Sequence, residues 1–187
     1  MAELHHRRRY AGLTGFVLSA LLCASVLTAQ RTEAQAALEY EIKAAFLLNF
    51  TKFTEWPASA FADAAGPLTI CILGRDPFGR ALDDVVQGEA VGNHKLAVRR
   101  IDQIPEPQSC QVLFISSGEK EIRGMLASVG SGVLTVGERD GFIREGGMIA
   151  FVLENRRVRF DIKPSAAEAA GLKLSSRLLS VARSVEK

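Results

Sequence analysis

The run "LTICILG", residues 68–74, sets four aliphatic side chains, a threonine and a cysteine ahead of a glycine. A run this short, apolar throughout and rich in β-branched residues reads as a strand covered on both faces. Downstream, Asp76-Pro77 has the chemistry of a helix start, since Asp can cap free N–H groups and proline is tolerated in the first turn. A helix over 77–87, closed by Gly88, is expected. "KLAVRRI" (95–101) gives a second strand, "PEPQ" (105–108) a loop, and "QVLFIS" (111–116) repeats the buried-strand pattern. Ser116 with Glu119 has capping-box spacing ahead of a helix over 119–129, and "GVLTVG" (132–137) gives the next strand. The order β, α, β, β, α, β predicts an α/β fold: a mixed, largely parallel sheet flanked by helices.

The ending has a different grammar. "MIAFVLE" (148–154) and "RVRFDI" (157–162) are separated by Asn155-Arg156 alone, which predicts a C-terminal β-hairpin. Val158, Phe160 and Ile162 alternate with Arg157, Arg159 and Asp161, so one face is apolar and the other strongly polar. Helices are expected over 166–170 and 174–185. Neither a repeat nor a low-complexity segment is present.

Upstream, Ile42, Ala45, Phe46, Asn49, Phe50 and Phe53 recur at steps of three and four, which predicts an amphipathic helix over 38–54 that Pro57 ends. Asn49 falls on that stripe, where a buried amide must bond neighbouring backbone or contact a ligand. Glu41 and Lys52 lie on the opposite side, Trp56 is expected to cap the core where the chain turns, and 58–67 read as a loop.

The first 36 residues carry the marks of an export signal: positive His5–Arg9, an apolar Gly12–Ala29, and small residues at Ala34-Gln35-Ala36. An uncleaved anchor is the other reading, but the apolar run is short for a span and diluted by Thr14, Ser19, Ser25 and Thr28. A cut after Ala29 is also compatible. Cys23 follows Leu21-Leu22 and not a small residue, which argues against lipidation. Cleavage after Ala36 leaves 187 − 36 = 151 residues, 37–187, the size of a single domain. Four of the 23 basic and two of the 21 acidic residues leave with the leader, so the remainder is balanced at 19 each. Nothing in that balance asks for nucleic acid. Residues 101–154 hold 4 basic and 8 acidic groups, and 156–187 hold 8 and 3, which is compatible with a polar binding face or with ordinary solvated surfaces.

Catalytic constellations are thin. Beyond the leader there is one histidine, His94, in the turn-like "VGNHK", so a His-rich metal site is excluded and the serine triad of an exported hydrolase would have to use His94, which reads more simply as a surface-loop histidine. "GRDPFGRA" (74–81) has the outer glycines of a phosphate loop, but Arg80 and Ala81 stand where Lys and Ser/Thr would meet phosphate and magnesium. Asp83-Asp84 and Glu138, Asp140, Glu145 read as surface carboxylates. No cofactor and no metal is expected. Two cysteines remain, Cys71 inside one expected strand and Cys110 just before another. In an oxidising compartment they would bridge if those strands are neighbours; two separate buried thiols is the alternative.

"EYEIKAAFLLNFTKFTEWP", "LTICILGRDPFG", "CQVLFIS" and "GGMIAFVLENRRVRFDIKPSAAEAAGLKLSSRLLSVAR" together, from Tyr40 to Arg183, resemble the YfiR family of exported proteins. The resemblance implies a periplasmic regulator and not an enzyme. In its best-understood branch, YfiR binds the periplasmic sensor portion of YfiN, a membrane diguanylate cyclase, and holds down cyclic-di-GMP output, while the outer-membrane lipoprotein YfiB relieves that repression. A YfiN-like cyclase domain and a YfiB-like lipoprotein are thus the implied partners, with a homodimer left open. Cys71 and Cys110 match the cysteines of the family's strand-linking bridge. A second pair found in some members would fall near 145–152, where this chain has Glu145, Val152 and no cysteine between them, which counts against redox switching. Arg157 and Arg159, whose guanidinium forks suit carboxylates, are the expected partner-binding residues. The competing expectation is a small-ligand sensor or carrier with a cleft at the strand ends, lined by Asn49 and neighbouring aromatics.

Overall fold

All six side chains of Leu68–Leu73 are buried, as a strand covered on both faces requires. The computed structural model describes residues 33–186. The export segment read over 1–36, Cys23 included, falls outside the described residues up to residue 32. Residues from Glu39 onward form one compact unit, and the architecture below is that of this unit together with the helix that leads into it.

In chain order the elements are α1 (33–52), β1 (Thr54–Glu55), β2 (Leu68–Leu73), α2 (Arg80–Val86), β3 (Ala90–Val91), β4 (His94–Ile101), β5 (Val112–Ile115), α3 (Ile122–Ser128), β6 (Leu134–Gly137), β7 (Ile149–Glu154), β8 (Arg157–Ile162), α4 (Pro164–Ala169), β9 (Lys173–Leu174), α5 (Ser176–Val181) and β10 (Ser184–Val185). Eight strands form one sheet in the order β10-β8-β7-β6-β5-β2-β4-β3, and β1 pairs with β9 separately. The central run β4-β2-β5-β6-β7 is parallel, β7-β8 and β3-β4 are antiparallel, and β10 lies parallel to β8. This is the mixed, mostly parallel α/β sheet that the strand order predicts. From β2 the chain passes through α2 to β4 on one side, then returns to β5 on the other, so strand order reverses between β2 and β5.

Alternation along each strand divides the core. One face joins Leu68, Ile70, Ile72, Val112, Phe114, Val136, Ile149, Phe151 and Phe160 to Ala44, Leu47 and Phe50 of α1 and Leu82 and Val86 of α2. The other joins Cys71, Leu73, Leu113 and Ile115 to Ile122 of α3 and to Phe142 and Ile143 of the β6–β7 connection. Phe50 fastens α1 to the hairpin, with ring centroids 5.0 Å from Phe160 and 5.7 Å from Phe151. Each such pair contributes about 0.5–1.5 kcal/mol beyond its area burial.

Five local expectations are corrected. The buried face of α1 is Lys43, Ala44, Leu47, Phe50 and Thr51, about one residue out of phase with the expected stripe; Asn49 and Ile42 are exposed. Asp76 accepts N–H bonds from Phe78 and Gly79 in a turn, so α2 starts only at Arg80. Ser116 and Glu119 meet through backbone, Glu119 N–H to Ser116 C=O, with no side-chain cap on α3. Residues 174–185 are not one helix: Leu174 pairs with Thr54, Ser175 caps α5 through its side chain, and Ser184–Val185 join the sheet. His94 opens β4 instead of lying in a turn. Its ring stacks on Phe61 at 3.8 Å and its Nδ1 donates to the Gly66 carbonyl at 2.7 Å.

Candidate functional site

The two-residue connection of β7 and β8 needs left-handed backbone at both positions, and Asn155 (φ 50°) and Arg156 (φ 61°) supply it. Register then follows: Glu154 faces Arg157, Val152 faces Arg159 and Ala150 faces Asp161. Val158, Phe160 and Ile162 are buried, while Arg157 and Arg159 are exposed on the opposite face beside Asp161. Asp161 is only 8% exposed, and Arg183, just ahead of β10, donates to its two carboxylate oxygens from Nε (2.8 Å) and Nη2 (2.5 Å). These bonds hold the Arg183 guanidinium protonated well above its ordinary range. Arg183 also reaches Glu154, at 3.6 Å. The hairpin's own acids are therefore answered by Arg183, and among the described residues neither Arg157 nor Arg159 forms an ion pair. A cleft of about 460 Å³ lies alongside, with Arg139, Arg144, Val152 and Arg183 in its walls.

A second polar cluster sits at the carboxyl end of β6. Lys43, 5% exposed, has its ammonium 2.7 Å from Glu138 and 2.5 Å from Glu39, and the Tyr40 hydroxyl donates to Glu138 at 3.1 Å. Burial, and then the Glu138 carboxylate, push the Tyr40 phenol well above its usual pKa. Lys43 also lies 4.4 Å from the centre of the Tyr40 ring. These groups line a cleft of about 350 Å³ with Ser117, Asp140 and Leu153. Sequence reading passed over Lys43; its signals were a glutamate four residues earlier and its place one turn before Leu47 on the same face.

The remaining candidates have ordinary partners. Asp83 receives both Nη groups of Arg100, whose hydrogen bonds hold its carboxyl below the usual range, the opposite of what a general acid needs. Gly74, first residue of the would-be phosphate loop, is packed against the Glu119 carboxylate, which would meet any Cβ placed there. Asn49 is exposed and lines none of the clefts described. Among the described residues no three His, Cys, Asp or Glu side chains converge as metal ligands.

Cys71 and Cys110 are joined by a disulfide, with Cα atoms 5.9 Å apart and a sequence separation of 39. The neighbour relation of β2 and β5 brings them together. Gln111, next in the chain and 1% exposed, extends that seam: its Oε1 accepts from Thr69 N–H at 2.8 Å and its Nε2 donates to Ala60 C=O at 2.7 Å. Nothing in the sequence marked this amide.

The bridged central strands, the hairpin and most of the docked first helix lie within the stretch that a known family covers: the YfiR/HmsC-like family model matches residues 40–183. The chain belongs to the YfiR/HmsC-like family. Its members are regulatory and not catalytic, and YfiR generally regulates the diguanylate cyclase YfiN. A comparison with curated proteins finds no match. Within this YfiR/HmsC-like domain, Arg157 and Arg159 are the sequence-predicted residues that the fold brings together on one exposed face. Among the described residues, no helix is long and apolar enough to cross a membrane.

Proposed function

We propose that the chain is a periplasmic regulatory protein that binds and represses the periplasmic sensor domain of an inner-membrane, YfiN-like diguanylate cyclase, with a YfiB-like outer-membrane lipoprotein relieving the repression. In this reading residues 1–36 are an export signal and 37–187 a single domain. The observation that carries it is the pair Arg157 and Arg159, presented on the paired hairpin of a regulatory family with no acidic partner of their own among the described residues. Guanidinium forks in that setting suit carboxylates on another protein. The buried Cys71–Cys110 bridge fits an oxidising compartment.

Deleting the gene in a host that carries such a cyclase is expected to raise cyclic-di-GMP, and restoring it with Arg157→Glu and Arg159→Glu is expected to leave the level high. Unchanged cyclic-di-GMP on deletion sinks the repressor reading. A small-ligand role would use the cleft beside Tyr40 and Lys43, but the charged groups there already satisfy one another, so partner binding stands first.

A further inference from the structure

Among the described residues, β8 is covered along only half of its outer edge. β10 meets it opposite Asp161 and Ile162, with Arg183 N–H donating to Phe160 C=O and Glu186 N–H to Ile162 C=O, both at 2.8 Å. Toward the turn, Arg157–Arg159 pair with β7 on one side and, among the described residues, with no strand on the other. In an antiparallel pair, backbone groups point alternately toward the partner strand and away from it. Since Phe160 and Ile162 send theirs outward to β10, Val158 two residues back sends its N–H and C=O outward as well. The sheet thus ends in a short stretch of open ladder, flanked on one face by the exposed Arg157 and Arg159 and on the other by the buried Val158 side chain.

Two kinds of strand could complete that ladder, and charge separates them. A second copy pairing β8 with β8 about a two-fold axis at Val158 would set Arg157 against the other copy's Arg159, and like charges directly opposite are destabilising. A strand with carboxylates at alternate positions would place them beside both guanidinium groups while its backbone continued the sheet. We infer that the uncovered edge of β8 takes an extended acidic segment of the protein partner as an added strand. The inference rests on the partner-binding reading of Arg157 and Arg159 and specifies how that binding is made.

The probe is a synthetic end-blocked peptide with glutamate at alternate positions and valine or threonine between, titrated by fluorescence anisotropy into the purified chain at low salt. The peptide is expected to bind, and N-methylation of the backbone amides on its pairing edge is expected to weaken binding roughly tenfold or more. Val158→Pro, which removes the outward donor, is expected to cause the same loss; Val158→Thr, which keeps it, is expected to bind as the parent does. Absence of binding by the parent peptide overturns strand addition. So does equal affinity of the N-methylated peptide, even where Arg157→Ala with Arg159→Ala abolishes binding; charge docking then survives without the added strand. If that double variant also binds normally, the partner-binding reading of the two arginines falls with it. A dimer that Val158→Pro dissociates, with no peptide bound, assigns the edge to a second copy and overturns the proposal. Should Val158→Pro not fold, the N-methylated comparison on the unaltered chain decides.

Discussion

β2 and β8 are strands of equal length in one sheet, six residues each, yet they live under different rules. Every side chain of β2 is buried, both of its edges are paired along most of its length, and Cys71 ties it covalently to the segment leading into β5. Near its tip β8 alternates exposed arginine with buried valine and phenylalanine, and among the described residues no strand pairs with its outer edge there. A strand enclosed on all sides can act only through stability, because any change to it is felt as a cavity or a lost bond. A strand with one free face and one free edge can change what it presents to another molecule at almost no cost to the fold. Stability and recognition are thus placed at different positions in the sheet, and each can be perturbed without the other.

The largest effect should come from the centre. Replacing Cys71 and Cys110 together by alanine removes a crosslink that closes a 39-residue separation. In the chain-entropy account such a loop is worth about 4 kcal/mol. The guanidinium unfolding midpoint of the double variant, compared with the oxidised parent, measures it, and a loss below about 1 kcal/mol would remove the stapled centre from the contrast.

Next in size is the tie between α1 and the end of β6. Lys43→Met leaves the Glu138 carboxylate buried without its cation, at a cost of about 3 kcal/mol, and adding Glu138→Gln should recover much of that. Tyr40 supplies the pH signature. Its folded pKa lies above the unfolded value of about 10, so above that pH the native state holds a proton the unfolded chain has lost. The contribution is fully present below about pH 10 and is lost as pH rises through the folded value. Tyrosinate absorbance of the parent minus Tyr40→Phe should show ionisation delayed beyond pH 10, and Tyr40→Phe should flatten the alkaline fall in stability. Ordinary ionisation of Tyr40 near pH 10 would mean the cluster is open to water.

What the sequence made legible follows the same division. β2, β5 and β6 could be read because their environment is uniform, so composition alone marks them, and the hairpin because alternation and Asn155-Arg156 are local signals. The phase of α1 could not be read. Phe46 and Phe53 drew the apolar stripe toward Asn49, whereas the face that packs includes Lys43, whose partner Glu138 is 95 residues away. Thr51 on the same face is satisfied within the helix, its hydroxyl donating to Leu48 C=O at 2.7 Å. Buried polar residues whose partners are distant, or hidden in the backbone, leave no mark on periodicity. Leu174 of β9 and the whole of β10 fall inside the expected helix because two residues cannot establish a period. What fixes them is pairing with Thr54 and with Asp161, and that exists only in the fold. At the candidate site, alternation sufficed to find Arg157 and Arg159. It could not show that Arg183 would neutralise Asp161 and Glu154 and leave the two arginines to an outside partner.

The smallest expected effect on stability is the one that tests the contrast most sharply. Arg157→Ala with Arg159→Ala removes two exposed side chains that make no ion pair among the described residues, so the unfolding midpoint should move by no more than about 0.5 kcal/mol. Arg183→Ala, by comparison, strands the buried Asp161 carboxylate and should cost more, although it removes only one cation. If the double variant were destabilised as much as Arg183→Ala, the hairpin cations would be serving this chain's own fold. The exposed face of β8 would then differ from β2 in degree and not in kind.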